Sequence, residues 1–230
     1  MLFISLEGGE GAGKTTQAAR LVERIESTGL RCLRVREPGS TDLGAELRKL
    51  IKRSRTSDEA MSRAAELFLF AAARSELVTK VIGPQREDPD LVVVADRYAD
   101  STVAYQGYGR GIDIKTIKST NALATNGLMP DLTFLLDCPP GIGISRVRGL
   151  QLQMPLDAMK DADTLNRDAE GMKFEEESEE FHQRIRQGFH DLADQEPDRW
   201  RVIDATRSID AISDDIWNAV RDRLPVPANA

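Results

Sequence analysis

The segment with the clearest chemistry begins at Gly8 and reads GGEGAGKT as far as Thr15. An apolar run at 2–6 precedes it, and a segment with helical spacing follows it. Glycines let such a loop direct its N–H groups at phosphate oxygens, while Lys14 reaches the β- and γ-phosphates and the Thr15 hydroxyl binds Mg²⁺. The alternative, an ordinary glycine-rich turn, is disfavoured by this context. The predicted triphosphate-binding residues are Gly8, Gly9, Glu10, Gly11, Ala12, Gly13, Lys14, Thr15 and Thr16.

Polar residues also follow three later strand-like runs. Glu37 follows the second run, Asp96 and Arg97 the third, and Asp137 the fourth. Ligands of open α/β sheets gather at the carboxyl ends of strands, so these residues are candidates for a site. We predict that Asp96 holds Mg²⁺ together with Thr15, with a helix cap as the alternative role. We predict that Arg97 stabilises charge on a transferring phosphoryl group, with a surface ion pair as the alternative.

The elements that must position these residues alternate between strands and helices. Strand-like runs occupy 2–6, 31–35, 91–95, 132–136 and 200–203, and segments with helical periodicity separate them. A continuous β-branched run such as VVV at 92–94 is typical of a strand buried on both faces of a parallel sheet. The pattern predicts the three-layer α/β fold of P-loop nucleotide-binding proteins, with a central parallel sheet of about five strands covered by helices.

Composition and charge narrow the class of protein. The net charge of −7 disfavours a general nucleic-acid binder but allows a local positive pocket for a small phosphorylated substrate. We predict that Cys32 and Cys138 are buried free thiols of a reducing compartment. We predict that His182 and His190 are surface residues rather than metal ligands. No signal-peptide pattern and no membrane-spanning apolar stretch is found, so we expect a cytoplasmic protein without a membrane partner.

Two segments have the composition of a pocket for a flat ring. Phe70 and Arg74 lie four positions apart in a predicted helix, with small residues between them. The phenyl ring can stack on a base while the guanidinium donates to its carbonyl edge, although a core phenylalanine beside a solvent-reaching arginine is the commoner arrangement. Residues 105–111, YQGYGRG, are predicted to be a glycine-interrupted loop at the pocket wall.

Residues 149–172 interrupt the alternation of strands and helices. They are polar and irregular and include Pro155. A disordered surface insertion and a lid over bound nucleotide both fit this composition, and the need to exclude water from phosphoryl transfer favours the lid. We expect one domain over 1–230 with a lid at about 146–174, flanked by a helix at about 174–193, and an earlier long helix at about 60–81.

Short segments with a common order run through nearly the whole chain: FISLEGGEGAGKTT at 3–16, REPG at 36–39, AEL at 65–67 leading into FAAAR at 70–74, DRY at 96–98, AYQG at 104–107, PDLT at 130–133 and VIDA at 202–205. Together they resemble the bacterial type of thymidylate (dTMP) kinase, a family of P-loop nucleoside monophosphate kinases. The resemblance implies the reaction ATP + dTMP → ADP + dTDP for dTTP synthesis, with Mg²⁺ as cofactor, and usually a homodimer.

The resemblance also implies roles for single residues. Phe70 would stack on thymine, Arg74 would bond to its edge, and Arg97 would contact the dTMP phosphate. Tyr105 would lie near the sugar, where a 2′-hydroxyl would clash, and Glu10 would approach the acceptor sugar. The implied dTMP-binding residues are Glu10, Glu37, Arg48, Phe70, Arg74, Arg97, Thr102, Tyr105 and Gln106.

The lid departs from the family pattern. Relatives commonly have an arginine-rich lid that ends in Asp-Arg-x-Glu, whereas 172–175 reads MKFE here. Lys173 cannot present the planar fork of an arginine. Because the phosphate-binding loop contains no arginine, the resemblance places the catalytic arginine in the lid, and we choose Arg148 over Arg146 and Arg167. The predicted catalytic residues are therefore Lys14, Arg97 and Arg148, with no general base, since the attacking oxygen is already anionic.

Two other functions remain open from the sequence. One is a kinase for another nucleoside monophosphate, such as dUMP or dCMP, because a base is selected by its polar edge. The other is a non-catalytic nucleotide-binding switch, which would bind ATP or GTP without acceptor-dependent release of ADP. Rates with a panel of monophosphates distinguish the kinases from one another, and a coupled assay with and without dTMP distinguishes a kinase from the switch.

Overall fold

Five strands form the centre of the protein, which is seen in a computed structural model that describes residues 1–54, 61–153, 174 and 177–225. The strands are β1 (Leu2–Glu7), β2 (Arg31–Arg36), β3 (Leu91–Asp96), β4 (Leu132–Asp137) and β5 (Trp200–Asp204). All of them pair in parallel, in the order β2-β3-β1-β4-β5. The predicted α/β fold and its five-stranded sheet are confirmed.

Every strand ends on a charged residue, one position beyond the predicted end. These residues are Glu7, Arg36, Asp96, Asp137 and Asp204. Because the strands are parallel, all five side chains are placed along the same edge of the sheet. That edge also carries the loop that follows β1.

Helices cover both faces of the sheet. The described residues contain α1 (Lys14–Glu26), α2 (Asp42–Ser54), α3 (Arg63–Leu77), α4 (Ala99–Thr102), α5 (Ile114–Thr125), α6 (Pro140–Gln153), α7 (Glu179–Gln195) and α8 (Ile209–Val220). Successive residues of β1 point to opposite faces: Ile4 packs with Leu21 of α1 and Ile216 of α8, whereas Phe3 packs with Leu77 of α3. Each such buried side chain contributes about 1.5–3 kcal/mol, which fixes the sheet under the site.

Two long helices begin later than the sequence predicts. α3 starts after the N-cap Ser62 and α7 after the N-cap Ser178, and each serine side chain accepts a hydrogen bond from the N–H three residues further on. The expected starts near 60 and 174 are therefore wrong. A π-helical turn, Val78–Ile82, continues α3 to the predicted end of that helix.

The glycine-rich segment predicted as a loop is helical. Val103–Gly109 forms a π-helix directly after α4. A Cβ on Gly107 would lie 2.5 Å from Cδ1 of Ile114, and one on Gly109 would lie 2.8 Å from Cε2 of Phe181. The glycines therefore allow neighbouring helices to approach closely, rather than opening the chain into a turn.

The histidines also differ from expectation. His182 is buried, at 5% exposure. His190 is half-buried, with Nε2 3.1 Å from Oδ1 of Asp137. Both histidines lie on the buried face of α7. The many charged residues of this helix had indicated a surface position for them, and that prediction is wrong. Cys32 and Cys138 are free thiols, the first half-buried and the second buried.

The predicted lid, at about 146–174, falls only partly within the described residues. Residues 146–153 belong to α6, Phe174 is buried, and 154–173 lie outside the described residues. Among the described helices, none combines the length and the apolar character that crossing a membrane requires.

Candidate active site

The loop between β1 and α1 is shaped for phosphate. Gly8, Gly11 and Gly13 have φ angles of 141°, 66° and 89°, which glycine adopts without strain. A Cβ on Gly11 would lie 2.0 Å from the backbone oxygen of Gly143 in α6, so space also demands glycine there. Gly13 caps α1 without a side chain, which leaves the N–H groups of the first helical turn to a bound anion.

Lys14 provides the positive charge of this loop. Its side chain is 7% exposed, and Nζ donates a hydrogen bond of 2.6 Å to the backbone oxygen of Gly9. Burial lowers the pKa of Lys14 to about 8, and the charge of Arg97 acts in the same direction. The residues predicted to bind triphosphate thus lie together in this loop and the first turn of α1.

Two oxygen ligands suited to Mg²⁺ lie beside Lys14. Thr15 Oγ1 donates a hydrogen bond of 2.6 Å to Oδ2 of Asp96, at the end of β3. A hydroxyl and a carboxylate are hard oxygen donors, which Mg²⁺ prefers in combination with phosphate oxygens and water. The pair therefore fits the predicted cation.

A pocket of about 330 Å³ opens at the same edge of the sheet. Seven residues predicted for dTMP line it, namely Glu37, Phe70, Arg74, Arg97, Thr102, Tyr105 and Gln106. Four residues that the sequence analysis did not place there also line it, namely Pro38, Tyr98, Ser101 and Phe174. The pocket is lined by aromatic rings together with a few polar groups, as small-molecule sites usually are.

Arg97 joins the pocket to the phosphate-binding loop. Its Nη1 donates to the backbone oxygen of Gly8 at 3.1 Å and to Ser101 Oγ at 3.2 Å, and its Nη2 donates to Glu10 Oε1 at 3.0 Å. The guanidinium carbon lies 4.9 Å from the ring centroid of Tyr105. A cation in this position can neutralise phosphate charge on either side of the boundary between loop and pocket.

Glu10 is held between the two sites. It accepts hydrogen bonds of 3.0 Å from both Arg97 and the Tyr105 hydroxyl. Burial alone would raise the pKa of Glu10, but the charges of Arg97 and Lys14 outweigh it and lower the pKa. Glu10 is therefore an ionised acceptor beside two pocket residues, Arg97 and Tyr105, although it does not itself line the pocket.

Arg74 lies at the bottom of the pocket rather than reaching for solvent. Its side chain is 1% exposed, and Nε and Nη2 donate to Oε2 of Glu37 at 2.8 and 2.6 Å. Further hydrogen bonds of 2.7 and 2.9 Å reach Asn121 Oδ1 and Thr102 Oγ1. Oε1 of Glu37 is buried and has no hydrogen-bond partner among the residues that the structure describes. Phe70 lies one helical turn away on α3 and is half-buried.

One further predicted residue, Arg48, does not line the pocket but contacts Pro38, which does. Arg48 of α2 donates a hydrogen bond of 3.3 Å to the backbone oxygen of Pro38. Burial lowers the pKa of Arg48 to about 10, and the charges of Arg36 and Arg97 act in the same direction. The charges of Arg36 and Arg97 therefore repel that of Arg48, and a bound anion would relieve this repulsion.

The two described candidates for the catalytic lid arginine differ in their contacts. Arg148 is exposed on α6, whereas Arg146 donates hydrogen bonds of 2.8 and 3.4 Å to the backbone oxygens of Ala205 and Thr206. Arg167 and Lys173 lie outside the described residues. The catalytic assignment of Arg148 remains a prediction.

Several site residues were missed because their partners are distant in sequence. Buried Glu7 accepts hydrogen bonds from the Tyr98 N–H and the Ser101 hydroxyl and so supports the turn that carries Arg97. Burial and the charge of Asp100 raise the pKa of Glu7 to about 8. The only signal available was its position as the first charged residue after an apolar strand.

The sheet order, the phosphate-binding loop and the adjoining pocket together define a P-loop kinase of the nucleoside monophosphate type. A family model described as thymidylate kinase matches residues 6–216. The chain belongs to the thymidylate kinase family.

Individual members of the family are similar to this chain over nearly its full length. The thymidylate kinase of Synechococcus sp. strain JA-2-3B'a(2-13) is 45% identical over 225 residues, which cover 98% of this chain and 97% of that protein. The thymidylate kinase of Deinococcus radiodurans is 42% identical over 224 residues, covering 96% and 97%. A crystal structure of thymidylate kinase from Ehrlichia chaffeensis superposes with a TM-score of 0.71 at 30% identity and covers 96% of this chain and 98% of that one.

Proposed function

We propose that this chain is an ATP-dependent dTMP kinase, which transfers the γ-phosphoryl group of ATP to dTMP and releases ADP and dTDP. The observation that carries the proposal is the contact of Arg97 with both Gly8 of the phosphate-binding loop and Tyr105 of the pocket. One guanidinium at this boundary supports a donor and an acceptor phosphate placed end to end, as in-line transfer requires.

The acceptor nucleotide is proposed to bind in the 330 Å³ pocket. Phe70 stacks on the thymine ring and Arg74 donates to its carbonyl edge, since the buried partners of Arg74 fix its guanidinium in place. Tyr105 and Glu10 face the sugar, and their mutual hydrogen bond leaves little room beside it. Thr102 and Gln106 border the base. Glu37 contributes indirectly, because it accepts the hydrogen bonds that hold Arg74 in place.

The phosphates are proposed to lie between the phosphate-binding loop and the side chains of Arg97 and Arg48. Lys14 and the first turn of α1 bind the phosphates of ATP, while Arg97 and Arg48 orient the dTMP phosphate. Arg148 is proposed to complete the charge neutralisation from α6. Thr15 and Asp96 would hold Mg²⁺, which neutralises charge on the β- and γ-phosphate oxygens when bound.

A homodimer is also proposed. Large apolar side chains are exposed on three helices that pack side by side, namely Leu50 of α2 at 44%, Phe68 of α3 at 62% and Leu123 of α5 at 84%. Exposed apolar groups on adjacent elements favour burial against a second copy of the chain.

A coupled assay of ADP release tests the function. With ATP and Mg²⁺, release should depend on dTMP, and dUMP should be slower by about 10–200-fold, because a single methyl group in an apolar slot provides only that much discrimination. The Lys14→Ala variant, prepared identically, controls for contaminating kinases. ADP release that is independent of any monophosphate would favour the switch, and preference for dCMP would favour a different kinase.

A further inference from the structure

Gln106 is a pocket residue whose amide has a defined orientation. It is 1% exposed, and its Nε2 donates a hydrogen bond of 2.8 Å to Oε1 of Glu66 in α3. An amide has one donating end and one accepting end, whereas a carboxylate only accepts. Glu66 therefore fixes the nitrogen of the amide on its own side, and the carbonyl oxygen of Gln106 is the atom left to bond with a base.

Glu66 is itself held in place. Its side chain is 7% exposed, and the same Oε1 accepts a hydrogen bond of 3.3 Å from Nε of Arg110. Arg110 in turn donates a hydrogen bond of 2.6 Å to Oε1 of Glu177, and its guanidinium carbon lies 4.7 Å from the ring centroid of Phe181. A planar guanidinium fixed on two carboxylates and one ring cannot rotate freely, so Glu66 stays an acceptor aimed at Gln106.

The hydrogen-bonding edge of a pyrimidine depends on N3. Thymine and uracil carry a hydrogen on N3 and donate there, whereas cytosine has a lone pair at N3 and accepts. A carbonyl oxygen presented to N3 bonds with thymine but repels cytosine, and an amide nitrogen presented there does the reverse. A buried group that offers only one polarity discriminates strongly, because the wrong base leaves it unpaired.

We propose that Glu66, held by Arg110, is a positioning residue that keeps the carbonyl oxygen of Gln106 toward the acceptor base and so selects pyrimidines with a hydrogen on N3. This inference rests on the proposed function. It explains why a carboxylate that does not line the pocket is buried directly behind a pocket amide.

Glu66→Gln tests the inference, because a second amide can donate as well as accept and releases the Gln106 amide to turn. We expect the ratio of kcat/KM for dTMP over dCMP to fall by about tenfold or more, with a higher KM for dTMP and a KM for ATP within about twofold of the unmodified enzyme. The analogue methylated at N3 of dTMP should be rejected by the unmodified enzyme and discriminated less by the variant.

Two further variants separate positioning from general damage. Combining Glu66→Gln with Gln106→Glu restores a group that only accepts on the pocket side, so the preference for dTMP should return. The matched control is Glu76→Gln on the same helix, which removes a carboxylate paired with Lys80 at 2.6 Å, outside the pocket. It should leave the dTMP to dCMP ratio unchanged.

The outcomes are distinct. If Glu66→Gln lowers activity on dTMP and dCMP equally, or leaves their ratio within twofold of the control, the inference is overturned while the proposed function stands. If Glu66→Gln does not fold, Arg110→Lys replaces it, and an unchanged ratio there overturns the inference in the same way. If the unmodified chain releases no ADP in the presence of dTMP, the proposed function fails and the inference fails with it.

Discussion

Replacing Arg74 with methionine should damage both stability and acceptor binding, and the two effects can be separated. The guanidinium makes two hydrogen bonds to Glu37, and the two side chains are 1% and 5% exposed. Arg74→Met leaves the carboxylate of Glu37 buried without its partner. Breaking such a buried pair costs about 3–5 kcal/mol. For a chain of this size that corresponds to a fall in Tm of roughly 6–20 °C.

Thermal and urea denaturation measure this loss, with Arg20→Met as the matched control. Arg20 pairs with Asp210 at the surface, where the side chains are 41% and 82% exposed, so its removal should cost less than about 1 kcal/mol. Arg74→Met combined with Glu37→Gln removes the orphaned charge and should recover a large part of the stability. The argument is refuted if Arg74→Met costs no more than Arg20→Met.

The pH dependence of Arg74→Met gives an independent check. Burial raises the pKa of Glu37, and the charge of Arg74 opposes this rise. Without Arg74, the folded state binds a proton on Glu37 more readily than the unfolded state does. Stability must then increase as pH falls from 7 toward the ordinary pKa of a glutamate near 4.5. Stability that decreases over this range relative to Arg20→Met would contradict the buried-charge explanation.

Three other predictions follow from the same contacts. Arg97→Ala should raise the KM for dTMP by about tenfold or more and leave ATP binding, measured by titration, largely unchanged; an equal loss for both ligands would argue against its place at the acceptor phosphate. Lys14→Ala should lower kcat by about 100-fold, and because burial lowers the pKa of Lys14 to about 8, kcat/KM for ATP should fall as pH rises through 8; a flat profile from pH 7 to 9.5 would contradict this. Phe68→Glu should convert a dimer to a monomer in sedimentation velocity, since Phe68 is 62% exposed and a charge there opposes burial against a second copy; an unchanged sedimentation coefficient would remove Phe68 from the interface.

The elements encoded by local pattern were predictable. The strand that positions Asp96 is a continuous apolar run, which is typical of a strand inside a parallel sheet, whereas the strand before Glu37 alternates polar and apolar residues and lies at the edge of the sheet. The phosphate-binding loop was predictable because the spacing of its glycines, followed by Lys14, is specific to one backbone conformation. Helix starts were predictable in principle, since Ser178 is followed by two glutamates, a common N-terminal signal.

The contacts that orient the site were not predictable, because they join residues far apart in sequence. The buried hydrogen bonds that hold Arg74 in place reach Glu37 and Asn121, 37 and 47 positions away. Gln106 was expected near the pocket, but the carboxylate that orients its amide lies 40 positions earlier. Periodicity places a residue on a face of a helix and does not specify which polar group it meets there.

The backbone conformation of Arg97 was also not predictable from the sequence pattern. Its φ angle is 70°, in the left-handed region that costs a non-glycine residue about 1–3 kcal/mol. The turn is held because the Arg97 N–H donates to the backbone oxygen of Leu6 at 3.1 Å and the Tyr98 N–H donates to Glu7 at 2.7 Å. A glycine would remove the strain but also the guanidinium. The strained backbone is therefore retained because it turns a charged side chain back over the phosphate-binding loop, where an unstrained continuation of β3 would carry it past the site.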